Sequence, residues 1–440
     1  MVKIVKFGGS SVANAEQFKK VKGIVDADSA RKYIVTSACG KESKEDYKIT
    51  DLLYIAHTHM KYKVSVDDIF DMIEKKYHGI KESLGIKIDL DAEFKKIKEE
   101  IEYDNDVDYL VSRGEYLTAR MLAEYLNAEF VDAKDIFKFN YDLSINMEKT
   151  NEALQKVIKT DKKIVFPGFY GSMADGKIKV MSRGGSDITG SILANLLNAD
   201  IYENWTDVSG ILVCDPRIVS DPHRIRAITY NELREMSYMG ANVLHEDAVF
   251  PVVEKKIPIN IRNTNSPDNP GTMIMFSCEE VDKENPPYPI TGITGKKGFM
   301  VITCIKNHSA SEVGFLRRVL SIFEKFNISI ESVPTSIDSV SVVVESNKVK
   351  KVLYEILAEL KDNLKCDDVH VYENLALIAV VGRAMANKKG MSGQIFAELG
   401  ANDINIKTIS QGSDEICIVL GVDGSEFEKA IQCIYKKFID

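Results

Sequence analysis

The sequence predicts an α/β protein: a mostly parallel sheet with helices on both faces, followed by two smaller βαββαβ units. Three observations predict it. Apolar runs alternate with helical patterns from Lys3 to about Asn263, the order expected of strands linked by crossover helices. Two glycine-rich turns, Gly8-Gly9-Ser10-Ser11 and Ser182-Arg183-Gly184-Gly185-Ser186-Asp187, stand where a strand gives way to a helix. Beyond about residue 288, a strand–glycine–helix–strand pattern occurs twice with matching apolar periodicity, the mark of a duplicated unit.

Taken in order, Lys3–Phe7 is a short apolar strand, and further strands are expected at 33–37, 129–131, 163–166, 200–205 and 257–261. Residues 51–102 are charged and helix-rich. Their many Lys and Glu read as a solvated helical face, so no chemistry is assigned to them. Ile188, Ile192, Leu196 and Leu197 recur at helical spacing behind the second glycine turn. The polar segment 278–288, with Pro286 and Pro287, reads as a linker. The first copy of the repeat then has a strand at 299–306, a helix from Gly314 to Phe326, a strand at 328–333, a strand at 341–344 and a helix at 348–360. The second has a strand at 375–381, a helix from Gly390 to Leu399, strands at 404–409 and 416–420, and a helix at 425–438. Each copy makes a βαββαβ-like unit of the ferredoxin-like kind.

The glycine turns suggest anion chemistry. Glycine lets backbone amides approach phosphate oxygens, a helix N-terminus adds a positive end, and Lys6 would bring a full charge. A third run, Trp205-Thr206-Asp207-Val208-Ser209-Gly210 with Asp215-Pro216-Arg217 behind it, sets a hydroxyl, a carboxylate and a guanidinium at a strand end. Gly171 to Ile178 almost spells a P-loop but ends in Ile178, which has no hydroxyl for Mg²⁺, so a polar turn between strands is expected there. His57 and His59 would point to different faces of a helix, which argues against a metal site. Among 440 residues, 45% are hydrophobic and 28% charged, enough for a large domain and at least one smaller one. A formal net charge of −9 argues against a nucleic-acid partner. With no long uncharged apolar run and no leader, a cytoplasmic protein without a membrane partner is expected. Seven scattered cysteines without a C-x-x-C pair favour reduced thiols over disulfides or zinc.

Together with Val35-Thr36-Ser37-Ala38, Thr50-Asp51, Leu110-Val111-Ser112-Arg113-Gly114-Glu115 and Gly240-Ala241-Asn242-Val243-Leu244-His245, the three runs resemble the amino-acid kinase superfamily, specifically the aspartate kinases. The paired C-terminal units resemble ACT domains, the amino-acid-sensing modules of those enzymes. The resemblance covers essentially the whole chain. It implies an amino-acid kinase catalytic domain at 1–280 and ACT units at 290–372 and 373–440, one inserted in the other. It departs from the family at Asn242, where lysine is usual, and at Glu246, where proline is usual.

By that resemblance, ATP phosphorylates the side-chain carboxylate of L-aspartate, with Mg²⁺ bridging the nucleotide phosphates. No general base is needed, because the attacking carboxylate is already ionised. Lys6 and the Gly8 and Gly9 amides, with Ser10, would stabilise charge on the transferred group. Asp187 could merely be a first-turn helix acid, but the resemblance makes it an organiser of Lys6 or the metal. Thr206, Asp207 and Arg217 would hold the nucleotide. Arg183 would grip the aspartate α-carboxylate as a bidentate fork, Glu115 would take the α-ammonium, and Ser37, Thr50 and Ser186 would complete the pocket. No residues are assigned as a protein metal site. An end-product effector, lysine first and threonine alone or with lysine second, would bind near Ser329, Glu331, Thr335 and Ser336. The ACT units would pair subunits into a homodimer or a dimer of dimers. The alternatives are another amino-acid kinase, which the two sensing units argue against, and a non-catalytic sensor, for which the only encouragement is Asn242.

Overall fold

The computed structural model describes residues 1–440 except Asn105, Thr160, Ser182, Arg183, Asn242, Val243, His245 to Asp247, Asn285 and Asn387. The chain divides into two compact units. One comprises Met1–Ile211, Arg226–Tyr230 and Val243–Cys278, and the other comprises Leu212–Ile225, Asn231–Asn242 and Glu279–Asp440.

The first unit is built on ten strands: β1 (Lys3–Phe7), β2 (Arg31–Thr36), β3 (Glu129–Phe130), β4 (Ile164–Pro167), β5 (Tyr170–Ser172), β6 (Ile178–Val180), β7 (Ile201–Thr206), β8 (Ala227–Thr229), β9 (Ile259–Asn263) and β10 (Thr272–Met275). Eight of them form one helix-flanked sheet in the order β3-β4-β2-β1-β7-β9-β10-β8. Every adjacent pair is parallel except β9 with β10. Central strands of such a sheet are covered on both faces, so they read as apolar runs. Ile4, Val5 and Phe7 of β1 and Ile34 and Val35 of β2 are fully buried. The near-P-loop segment is the hairpin β5–β6, closed by Met173 N–H donating to the Lys177 carbonyl.

The charged stretch corrects the sequence reading. It forms helices Ile49–Lys61, Asp67–Leu84 and Leu90–Tyr103, whose apolar stripes join the main core through Ile69, Phe70, Ile73, Tyr77, Phe94, Ile97 and Ile101. Lys and Glu dominate its composition, but the spacing of the apolar minority decides burial.

The second unit holds β11 (Gly292–Ile305), β12 (Ser339–Glu345), β13 (Asp368–Val381), β14 (Thr408–Gln411) and β15 (Cys417–Asp423) in one antiparallel sheet, ordered β12-β11-β13-β15-β14. The two expected helices, Phe315–Lys325 and Met391–Ala401, each start at a glycine with left-handed backbone, Gly314 at φ 78° and Gly390 at φ 84°. That conformation is cheap only for glycine, which explains the repeated residue. The strand expected at 328–333 is reduced to isolated bridges, Ser332 with Val343 and Thr335 with Val340. Pro334 between them has no N–H to continue a ladder. In the linker, Glu279–Glu284 is helical, and Asp282 pairs with Arg383. The cysteine expectation is also corrected. Cys304 and Cys366 form a disulfide within the core of this unit, while Cys39, Cys214, Cys278, Cys417 and Cys433 are not disulfide-bonded. Sixty-two residues separate the bonded pair, and only the packed core brings them together.

Candidate active site

The chain leaves β1 for β2 on one side and returns to β7 on the other. In open α/β sheets, ligands bind at such a point, beyond the carboxyl ends of the strands. Here β1, β2 and β7 end together: Gly8 N–H donates to the Trp205 carbonyl at 2.9 Å, and Ser37 N–H donates to the Phe7 carbonyl at 3.1 Å.

Lys6, 6% exposed, reaches Asp187 with Nζ 2.5 Å from Oδ1. Asp187 lies in the first turn of the Gly185–Leu196 helix, where a carboxylate also meets the positive helix end. Ser37 and Ser186 touch through their hydroxyls at 2.7 Å. Glycines permit this crowding. A β-carbon at Gly40 would sit 2.5 Å from the Gly9 carbonyl carbon, and one at Gly168 would sit 2.5 Å from the Ser186 β-carbon.

Glu115 comes from the Val107–Tyr125 helix and is 4% exposed. Burial pushes its carboxyl from an ordinary 4.5 up to about 8, against the opposing pull of the Ala38 amide and the Arg113 and Lys6 charges. Its Oε2 atom is buried with no hydrogen-bond partner. An orphaned buried carboxyl oxygen is costly, and a cationic ligand would relieve it. Thr50 is half-buried in the first turn of the Ile49–Lys61 helix.

One expected role needs correction. The Gly8 amide is occupied by Trp205, so it is not the free phosphate donor expected of it; Gly9 and Ser10 open the short helical turn Gly9–Val12. Thr206 donates to Asp207 at 3.1 Å on the exposed end of β7. Arg217 belongs to the second unit, where its guanidinium pairs with Asp215. Arg183, Asn242 and Glu246 lie outside the described residues. In the second unit Glu331 is half-buried and accepts a 2.7 Å hydrogen bond from the Tyr238 hydroxyl, whereas Ser329, Thr335 and Ser336 are exposed. The Tyr238 hydroxyl is pushed up to about 12 by burial and then by Glu331.

Sequence reasoning missed three supports of the site. Tyr77 donates to the Gly114 carbonyl at 2.8 Å, just before Glu115. Lys76 holds the Gly40 carbonyl and Asp46 at 2.6 Å each. Asn204 donates to Asp187 at 2.8 Å. Only Asn204 left a signal, as a polar residue inside a central strand, where burial is costly without a partner.

The model of the amino acid kinase family matches residues 1–263, and that of an ACT domain matches residues 378–438. The chain belongs to the amino acid kinase family. Within it the relatives are aspartokinases. Aspartokinase 3 of Bacillus subtilis is 35% identical over 99% of this chain and 98% of its own. The crystal structure of Clostridium acetobutylicum aspartate kinase, described as an allosteric enzyme, matches at 46% identity and a TM-score of 0.90 over 99% of both chains. Escherichia coli aspartokinase III, solved with aspartate and ADP in an R-state and with lysine and aspartate in a T-state, matches over the full length of both chains, at 26% and 25% identity with TM-scores of 0.75 and 0.76. The protein is thus an enzyme of the aspartokinase family, and its ACT segment implies allosteric control. Among the described residues, no helix is long and apolar enough to cross a membrane.

Proposed function

We propose that this enzyme transfers the γ-phosphoryl group of ATP to the side-chain carboxylate of L-aspartate, giving 4-phospho-L-aspartate, under feedback control by an end-product amino acid. The observation that carries the reading is the buried Glu115 carboxyl, whose Oε2 has no hydrogen-bond partner, together with the Lys6–Asp187 pair. Glu115 is suited to an α-ammonium, and Lys6 to charge on the transferred phosphoryl. The substrate carboxylate attacks directly, so the enzyme's work is to align two anions and neutralise developing charge. Ser37, Thr50, Ser186 and Arg183 complete the amino-acid pocket; Gly9, Ser10, Thr206 and Asp207 serve the nucleotide.

Mg²⁺, held through the ATP phosphates, would supply charge neutralisation there. Asp187, in the first turn of the Gly185–Leu196 helix, would be a carboxylate able to face the ion. The forms of Escherichia coli aspartokinase III with ADP and with lysine support ATP as donor and lysine as first-choice effector, with threonine second. Glu331 would meet the effector ammonium, and the ACT units would join subunits into a dimer or a dimer of dimers. The test is a hydroxylamine trap for acyl phosphate with aspartate, glutamate and N-acetylglutamate. Hydroxamate from aspartate alone is expected; product from glutamate or N-acetylglutamate instead, or from none of the three, would overturn the reading.

A further inference from the structure

β7 runs parallel to β1 with Lys6 opposite Asn204 in register. Asn204 is 4% exposed in the middle of a central strand, a place where a neutral amide is costly without a bonding partner. Its partner is the Asp187 carboxylate: Nδ2 donates to Oδ1 at 2.8 Å, the same oxygen that lies 2.5 Å from Lys6 Nζ. Two residues earlier on the same face of β7, the Tyr202 hydroxyl donates to the Asp187 main-chain carbonyl at 3.2 Å. Asp187 is therefore held by β7 at both side chain and backbone, and through it Lys6 is held near the glycine turn. A β-carbon at Gly8 would lie 3.7 Å from Nζ.

We propose that Asn204 is a positioning residue for phosphoryl transfer. It fixes the Asp187 carboxylate that orients Lys6, and it does so without adding charge. This rests on the reading of Lys6 as the group that meets the transferred phosphoryl. An amide suits the place because it can only donate to the carboxylate through its NH₂ end and leaves the lysine one anionic partner. An aspartate of the same shape would set a second carboxylate against the first and compete for the ammonium. A leucine would leave the Asp187 carboxylate held by the flexible lysine alone. A lysine displaced by even an ångström loses much of its effect on a barrier that depends on alignment.

The test compares Asn204→Leu, Asn204→Asp and Lys6→Ala in the full-length enzyme, reading kcat, KM for aspartate and ATP, and melting temperature. Asn204→Leu should lower kcat about tenfold while both KM values stay within about twofold, since positioning acts on the transition state rather than on ground-state binding. Asn204→Asp should lower kcat further. In the Lys6→Ala background, Asn204→Leu should cost no additional activity, because the two residues act through one ion pair. Should Asn204→Leu fail to fold, Asn204→Asp carries the same comparison. Wild-type kcat in a folded Asn204 variant, or losses that simply add to those of Lys6→Ala, would overturn the proposal. Wild-type kcat in Lys6→Ala would instead overturn the underlying role of Lys6.

Discussion

In its proposed ammonium-binding role, the buried Glu115 should make the aspartate affinity depend on pH. Its carboxyl, buried and raised to about 8, is mostly neutral at pH 7, whereas an ammonium ligand needs it ionised. Ionising it at one pH unit below its own value costs about 1.4 kcal/mol, or about tenfold in apparent affinity. KM for aspartate should therefore fall about tenfold per unit from pH 6 to about 7.5 and level off above about pH 8. Calorimetry at pH 7, repeated in buffers of different ionisation enthalpy, should show release of about 0.9 proton per aspartate bound. Glu115→Gln should raise KM and abolish the slope. The same shift bears on folding. A carboxyl raised in the folded state contributes stability that is whole below its unfolded value near 4.5 and is lost as the pH rises through about 8. Glu115→Gln should thus stabilise the substrate-free protein at pH 7 by roughly 3 kcal/mol. A flat KM profile without proton release in the wild type would refute the buried-acid argument. Unchanged KM in Glu115→Gln would remove Glu115 from the ammonium site.

Four further outcomes are expected. Lys6→Ala should lower kcat ~10²–10³-fold with aspartate binding by calorimetry largely intact, the scale for losing one group that stabilises transition-state charge. Gly40→Ala places a β-carbon 2.5 Å from the Gly9 carbonyl carbon, so thermal unfolding should show a loss of about 1–3 kcal/mol and turnover should fall with it. Tyr77→Phe removes the bond to the Gly114 carbonyl, which Thr118 still satisfies at 2.8 Å, so denaturant unfolding should report a loss of only about 1 kcal/mol. Tyr238→Phe frees Glu331 from a competing donor and should lower the half-inhibitory lysine concentration about fivefold, while Glu331→Ala should raise it and spare activity without lysine.

Parts of this molecule that depend on neighbours in the chain were legible in the sequence. The strand carrying Lys6 into a glycine turn, the second turn before Asp187 and the alternation of apolar runs all depend on local backbone preference and periodicity. So does the repeated helix-opening glycine at Gly314 and Gly390, because positive φ excludes most side chains whatever surrounds them. The strand at 328–333 is the instructive failure. Its apolar pattern is that of a strand, but Pro334 and the pairing available to it leave only bridges.

The sequence by itself determined the fold class, the two glycine turns and the lysine placed just before the first of them, since each follows from spacing within a few residues. Tertiary structure alone decided who meets whom: Lys6 with Asp187 and Asn204, Ser37 with Ser186, Gly9 with Gly40, Tyr77 with the Gly114 carbonyl, and Cys304 with Cys366. It also decided that the Gly8 amide is occupied and that Glu115 holds its proton. Ionisation and hydrogen bonding are set by which groups exclude water from one another, and in a parallel sheet those groups come from strands far apart in the chain.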